Sequence, residues 1–166
     1  MQYGFTQSGD KIIKLNLYPH FSNPGITIGL EFEKSLGRTI KFSQATRIEY
    51  RTITSENPSD NFFGQQNLCL GYAVKYYPFR KQSGKKFQGV FVGIMPSYFV
   101  KVRSQYRYGP AIGIPAGYQF VLKSRLTLSL EYTVTFMQNV NNAIPPSNPS
   151  DRYFDLFKGF RIGYRF

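Results

Sequence analysis

Tyr153-Phe-Asp-Leu-Phe-Lys-Gly-Phe-Arg-Ile-Gly-Tyr-Arg-Phe166 closes the chain, and the fold class is read from it. From Phe160 onward the alternation is strict. Phe160, Ile162, Tyr164 and Phe166 fall on one face; Gly159, Arg161, Gly163 and Arg165 fall on the other. A repeat of two marks a β-strand with unlike faces, because successive side chains point to opposite sides of a sheet. The strand runs to the last residue, which is aromatic. Chain ends of soluble domains are usually frayed and polar, so this terminus reads as part of a sheet.

The same period recurs through the rest of the chain. In 126–137, Leu126, Leu128, Leu130, Tyr132, Val134 and Phe136 oppose Thr127, Ser129, Glu131, Thr133 and Thr135. In 111–122, Ile112, Ile114, Tyr118, Phe120 and Leu122 oppose Gly113, Pro115, Gly117 and Gln119. Residues 87–100 are apolar on both faces; Val90, Val92, Ile94 and Tyr98 are assigned to the apolar side, with Phe91 and Met95 opposite. Strands at 67–77, about 39–52, 26–33 and 11–18 complete the set. The spacing thus predicts eight strands, mostly near the ~9–11 residues that cross a bilayer when tilted. No helical period intervenes. Residues 1–10 are set apart as an N-terminal segment, and 11–166 as one domain.

Composition bounds the class. The chain has 166 residues, 16 Phe, 13 Tyr, no Trp and a formal charge of +12. No stretch approaches the ~18 apolar residues of a spanning helix. The mean hydropathy of −0.32 is blind to barrels, whose strands average an apolar and a polar face. Met1-Gln-Tyr-Gly-Phe5 has neither the basic start nor the apolar core of a signal peptide. Either the numbering begins at the mature chain or the protein is not exported. The basic residues are spread through strands and turns, with aromatics on the opposite face. A single-strand nucleic-acid binder interleaves the two on one surface, so nucleic acid is not expected as a partner.

Alternation alone does not say which face meets solvent, since a soluble lipocalin-like barrel has the same period with apolar side chains inside. Three features favour apolar-out. The apolar face is large at nearly every position, more than the interior of an eight-stranded barrel holds. Glycines cluster on the polar face, where inward side chains crowd. That face also carries both signs of charge, which enclosure requires to be paired. The expectation is an all-β, eight-stranded antiparallel transmembrane barrel with a lipid-facing apolar exterior. Its interior is plugged by Lys14, Glu31, Glu33, Lys41, Arg47, Glu49, Arg51, Lys75, Glu131, Arg161 and Arg165, with Arg47 and Arg51 set against Glu31 and Glu33. The turns after the second, fourth and sixth strands are read as shorter than those after the third and seventh. This is the asymmetry of membrane barrels, and it puts the termini and short turns on the periplasmic side. The basic residues Lys34, Arg38, Arg80, Lys81, Lys85, Lys86, Lys123 and Arg125 then belong to that end, as headgroup contacts or a docking surface.

The closing strand resembles that of bacterial outer-membrane barrels, where alternating apolar residues ending in Phe are read by the insertion machinery. The resemblance makes Phe160, Ile162, Tyr164 and Phe166 an assembly signal. A second resemblance covers nearly the whole chain. Ile13-Lys-Leu-Asn-Leu17, Gly29-Leu-Glu-Phe-Glu-Lys-Ser-Leu-Gly37, Phe42-Ser43, Val74-Lys-Tyr-Tyr-Pro-Phe-Arg80 and Gly89-Val-Phe-Val-Gly93 follow in the order of a family of small outer-membrane barrels common in Bacteroidetes, a domain of unknown function. So do Gly113 to Gln119 and Leu126 to Glu131. Phe32 stands where that family more often has Tyr. The resemblance implies fold and location; the family brings no established catalytic residues.

Little chemistry is legible. His20 is the single histidine, between prolines, which disfavours a histidine metal cluster or a Ser-His-Asp triad. Cys69 reads as an interior filler. Glu31 and Glu33 share a face, as acid–base pairs can, but arginines on the next strand give them a structural explanation. The glycines alternate within strands and open no phosphate-binding helix. The function expected is therefore non-enzymatic, without cofactor or metal: a structural or accessory outer-membrane barrel, as a subunit of a larger complex with outer-membrane or periplasmic partners. The alternatives are a binding barrel acting through loops 54–66, 101–110 and 138–152, and a soluble lipocalin-like carrier.

Overall fold

The computed structural model describes residues 11–20, 25–36, 41–53, 65–79, 87–103, 109–122, 125–138 and 152–166. Eight strands follow in chain order: β1 (Lys11–His20), β2 (Gly25–Ser35), β3 (Phe42–Ile53), β4 (Gln65–Tyr76), β5 (Gly89–Arg103), β6 (Gly109–Val121), β7 (Leu126–Gln138) and β8 (Arg152–Arg165). Each pairs antiparallel with the next, and β8 pairs with β1, so the sheet closes into a barrel.

The register sets the barrel's shape. Leaving β8 at Gly163 and crossing through Lys14, Glu31, Arg47, Gly71, Ser97, Ala111 and Met137, the pairing returns to β8 at Tyr153, ten residues away. Such a stagger tilts the strands by roughly 35–45° and leaves an interior that side chains just fill. One bulge, at Gln66/Asn67, interrupts the β4–β5 pairing.

The two faces sort as the alternation predicts. Leu30, Ile94 and Leu130 point outward, 57, 54 and 54% exposed, whereas Lys14, Glu31 and Arg161 point inward at 0%. In β5, Val90, Val92, Ile94 and Tyr98 are exposed, and Phe91 and Met95 are buried. The opposing strand explains that choice. Phe91 pairs with Gly117 and Met95 with Gly113, so each large side chain lies over a residue that has none.

The termini and the connections after β2, β4 and β6 share one end of the barrel. At that end Leu36 N–H donates to Phe42 O (3.0 Å), and Leu122 N–H to Leu126 O (2.8 Å). Lys11 and Phe166 exchange backbone hydrogen bonds of 3.2 and 3.0 Å, closing the seam between the first and last strands. The connection after β4, 77–88, is as long as that after β3, 54–64, so the expected contrast of short and long ends is weaker than the sequence suggested. Part of the reason is visible: Tyr77 and Phe87 from this connection turn inward and are buried. The expected binding loops are also trimmed, because β4 begins at Gln65, β5 runs to Arg103 and β6 begins at Gly109. What remains, 54–64, 104–108 and 139–151, lies outside the described residues, as does 1–10.

Candidate functional site: the charge network inside the barrel

Among the described residues, five cations (Lys14, Arg47, Arg51, Lys75, Arg161) and four carboxylates (Glu31, Glu33, Glu49, Glu131) are buried inside the barrel. They come from β1, β2, β3, β4, β7 and β8. Buried charge is tolerated only when paired and hydrogen-bonded, and the pairing here is dense.

Glu31 is the hub. It accepts from Lys14 Nζ (2.9 Å) and Lys75 Nζ (2.6 Å), from Arg47 Nε (3.0 Å) and Nη2 (2.6 Å), and from Arg161 Nη1 (3.0 Å). Glu131 faces it across the barrel. It accepts from both terminal nitrogens of Arg161, the Nη2 bond being 2.5 Å, from Arg47 Nη2 (3.0 Å) and from Thr133 Oγ1 (2.8 Å). Glu33 accepts from Lys14, from Ser43 and from the Tyr77 hydroxyl (2.7 Å). Glu49 forms an outlying pair with Arg51 Nη2 (2.8 Å) and takes an amide hydrogen bond from Asn16 (3.3 Å). Two cations also stand over aromatic rings, Lys75 over Phe91 (5.0 Å) and Arg51 over Phe99 (4.8 Å), contacts that favour a partly desolvated cation.

Glycine makes room for these side chains. Lys14 is registered against Gly163, Arg47 against Gly71, Glu49 against Gly29, Lys75 against Gly93, and Glu131 against Gly117 and Gly159. The space is taken up by charged side chains at two of these seats. A Cβ at Gly163 would stand 2.6 Å from Lys14 Cγ and from Thr127 Oγ1; one at Gly29 would stand 2.6 Å from Glu49 Cγ and Ile48 O. Gly29 and Gly163 thus seat Glu49 and Lys14, whereas Gly71 and Gly113 seat Met95 and Gly117 seats Phe91.

Three expectations about the network need correcting. Arg51 does not reach Glu31 or Glu33. The register sets it opposite Thr27, while Arg47 is opposite Glu31, so Arg51 pairs with Glu49 instead. Lys41 is exposed, because β3 begins at Phe42 and Lys41 belongs to the preceding turn; its carbonyl accepts from Tyr77 N–H (2.7 Å). Arg165 sits half-buried at the barrel mouth opposite Ile12, below the layer of carboxylates. Tyr77, Ser43, Asn16 and Thr133 are members that charge alone did not single out; the last three lie on the inward faces of β3, β1 and β7, and Tyr77 just beyond the end of β4.

Phe160, Ile162, Tyr164 and Phe166 are all exposed on the outer wall. Of the basic turn residues, Lys34 is half-buried and Arg125 exposed, while Arg38, Arg80, Lys81, Lys85, Lys86 and Lys123 lie outside the described residues. His20 ends β1, and Cys69 is buried beside Phe99 and Ala111. Among the described residues no group of His, Cys, Asp or Glu side chains is arranged to hold a metal ion. Each interior carboxylate is bonded by at least one cation, an arrangement that locks strands together. No family model, curated protein or solved structure matches this chain.

Proposed function

We propose that this chain is a non-enzymatic β-barrel that spans a bacterial outer membrane and serves there as a structural or accessory component, as a subunit of a larger assembly. The observation that carries the reading is the inverted distribution of polarity. Charges fill the inside, and among the described residues every strand presents large apolar side chains on the outside, such as Leu15, Leu30, Ile48, Leu70, Ile94, Ile112, Leu130 and Phe160. A water-soluble barrel of this size would hold such residues in its core. Monomers in water rarely leave contiguous apolar patches beyond a few hundred Å². The strands, of 10–15 residues, are long enough to cross a bilayer when tilted.

Aromatic residues stand toward both ends of the apolar wall, as in the girdles of membrane barrels, with Tyr72 and Tyr132 between them. Phe42 and Tyr76 (4.9 Å between rings), Tyr118 and Phe120 (4.4 Å), Tyr164 and Phe166 lie toward the end that carries the termini. Tyr50, Tyr98 and Phe136 lie toward the other. The ordered sequence resemblance to small barrels of Bacteroidetes supports a bacterial outer membrane as the location. The interlocked carboxylates support a structural role over a catalytic one.

The test is extraction of native membranes in mild detergent, followed by sizing and identification of whatever co-migrates. A stoichiometric complex well above the 19.1 kDa of the chain is expected. A lone particle plus detergent would replace the subunit reading with an independent barrel acting through 54–64, 104–108 and 139–151. Recovery without detergent would overturn the membrane reading.

A further inference from the structure

Five cations outside the interior network share one end of the barrel. Lys11, Lys34, Lys41, Arg125 and Arg165 stand at the end that carries the termini, each exposed or half-buried. Glu33 belongs to the buried network, and Asp10 is the acidic residue the flanking sequence adds.

These cations stand at three of the four strand junctions of that end. Lys11 and Arg165 mark the β8–β1 junction, Lys34 and Lys41 the β2–β3 junction, and Arg125 the β6–β7 junction. Two adjoin the outer apolar wall directly: Lys34 lies two residues from both Phe32 and Leu36 on the outer face of β2, and Lys11 two residues from Ile13 on that of β1. Lys41, exposed, precedes Phe42, and Arg165 stands at the mouth on the face opposite Tyr164 and Phe166. Arg125 holds a left-handed backbone (φ 65°), and its carbonyl accepts from Arg165 N–H (2.9 Å). Glycine takes that conformation without steric cost; arginine keeps a charge at the rim.

We infer that this basic rim is a binding surface for the anionic headgroups of phospholipid in the leaflet that surrounds the terminus-bearing end. The inference rests on the membrane reading above. A leaflet meets a barrel around its whole circumference just beyond the apolar wall, which is where these cations lie. A soluble acidic partner would approach the end face from one side. Long basic side chains at such a boundary keep their stems against apolar surface and place their charge among phosphates.

The test uses the full chain inserted into phosphatidylcholine vesicles, with part of the lipid replaced by brominated phosphatidylglycerol or brominated phosphatidylcholine. Tyrosine quenching reports which lipid adjoins the wall. Phosphatidylglycerol is expected to displace phosphatidylcholine several-fold in favour of contact, by about fivefold for each engaged cation at low salt. The preference is expected to shrink in high salt and in K34Q/K41Q/R125Q, with insertion unchanged. Equal quenching by the two lipids in the unaltered chain would overturn the inference while leaving the membrane reading intact. So would a preference that survives in both K34Q/K41Q/R125Q and K34E/K41E/R125E. Failure to insert into either vesicle would overturn both.

Discussion

Replacing Glu31 by Gln withdraws the charge on which Lys14, Lys75, Arg47 and Arg161 converge, at 2.6–3.0 Å. The side chain keeps its shape and one acceptor oxygen, so packing is preserved and electrostatics is isolated. Removing one partner of a buried ion pair costs about 3–5 kcal/mol, because the remaining charge stays buried. Lys14 and Arg161 retain Glu33 and Glu131 respectively, which places the loss near the lower figure, about 3 kcal/mol. With a urea slope of about 3 kcal/mol/M, the unfolding midpoint falls by about 1 M. The assay is reversible urea unfolding of the chain in detergent micelles, followed by far-UV circular dichroism. Glu49→Gln is the internal control. Glu49 has a close ion pair with Arg51 alone (2.8 Å), with Arg47 at 3.6 Å, so its loss is expected to be about half as large. A Glu31→Gln midpoint indistinguishable from the original, or a larger loss for Glu49→Gln, would refute the hub.

Other perturbations separate the remaining parts of the account. Gly163→Ala places a Cβ 2.6 Å from Lys14 Cγ and is expected to cost more than about 2 kcal/mol. Gly71→Ala meets only the flexible end of Met95, at 3.2 Å, and is expected to stay within about 1 kcal/mol; the same unfolding assay compares them. Arg125→Gly relieves a left-handed backbone and is expected to raise stability by about 1 kcal/mol while weakening the lipid preference of the rim, read by unfolding and by quenching. Deleting Phe166 removes both hydrogen bonds to Lys11 and is expected to lower the yield of assembled barrel in cells more than refolding yield in micelles; equal losses in the two would show that the residue acts through stability alone.

The faces of the strands were legible because the period is two and a strand has only two sides. Phe160, Leu130 and Leu30 could be assigned to one face from the period alone; that this face is outward followed from the size of its side chains and from the glycines and paired charges opposite. The partners were not legible, because a partner depends on register, and register depends on where turns begin. Arg47 and Arg51 share a face, yet one register places Arg47 opposite Glu31 and Arg51 opposite Thr27. Lys41 failed for the same reason, lying just before the first paired residue of β3. The ambiguous strand, β5, held a signal that could have been used. A large inward residue needs a small one across from it, and β6 offers Gly113 and Gly117 to Met95 and Phe91. Tyr77 was harder to find, since it lies beyond the end of β4 and bonds Glu33 on a strand two places away.

The claim that the apolar wall faces lipid is tested most directly at Leu30, which is exposed on β2 between Leu15 and Ile48 of the neighbouring strands. Cys69, the single cysteine, is buried, so Cys69→Ser leaves a background for Leu30→Cys carrying a nitroxide. In vesicles, the account predicts strong relaxation of the label by oxygen and almost none by a water-soluble nickel chelate. Relaxation by the nickel chelate as strong as that of a label in water would place this wall in solvent and contradict the account.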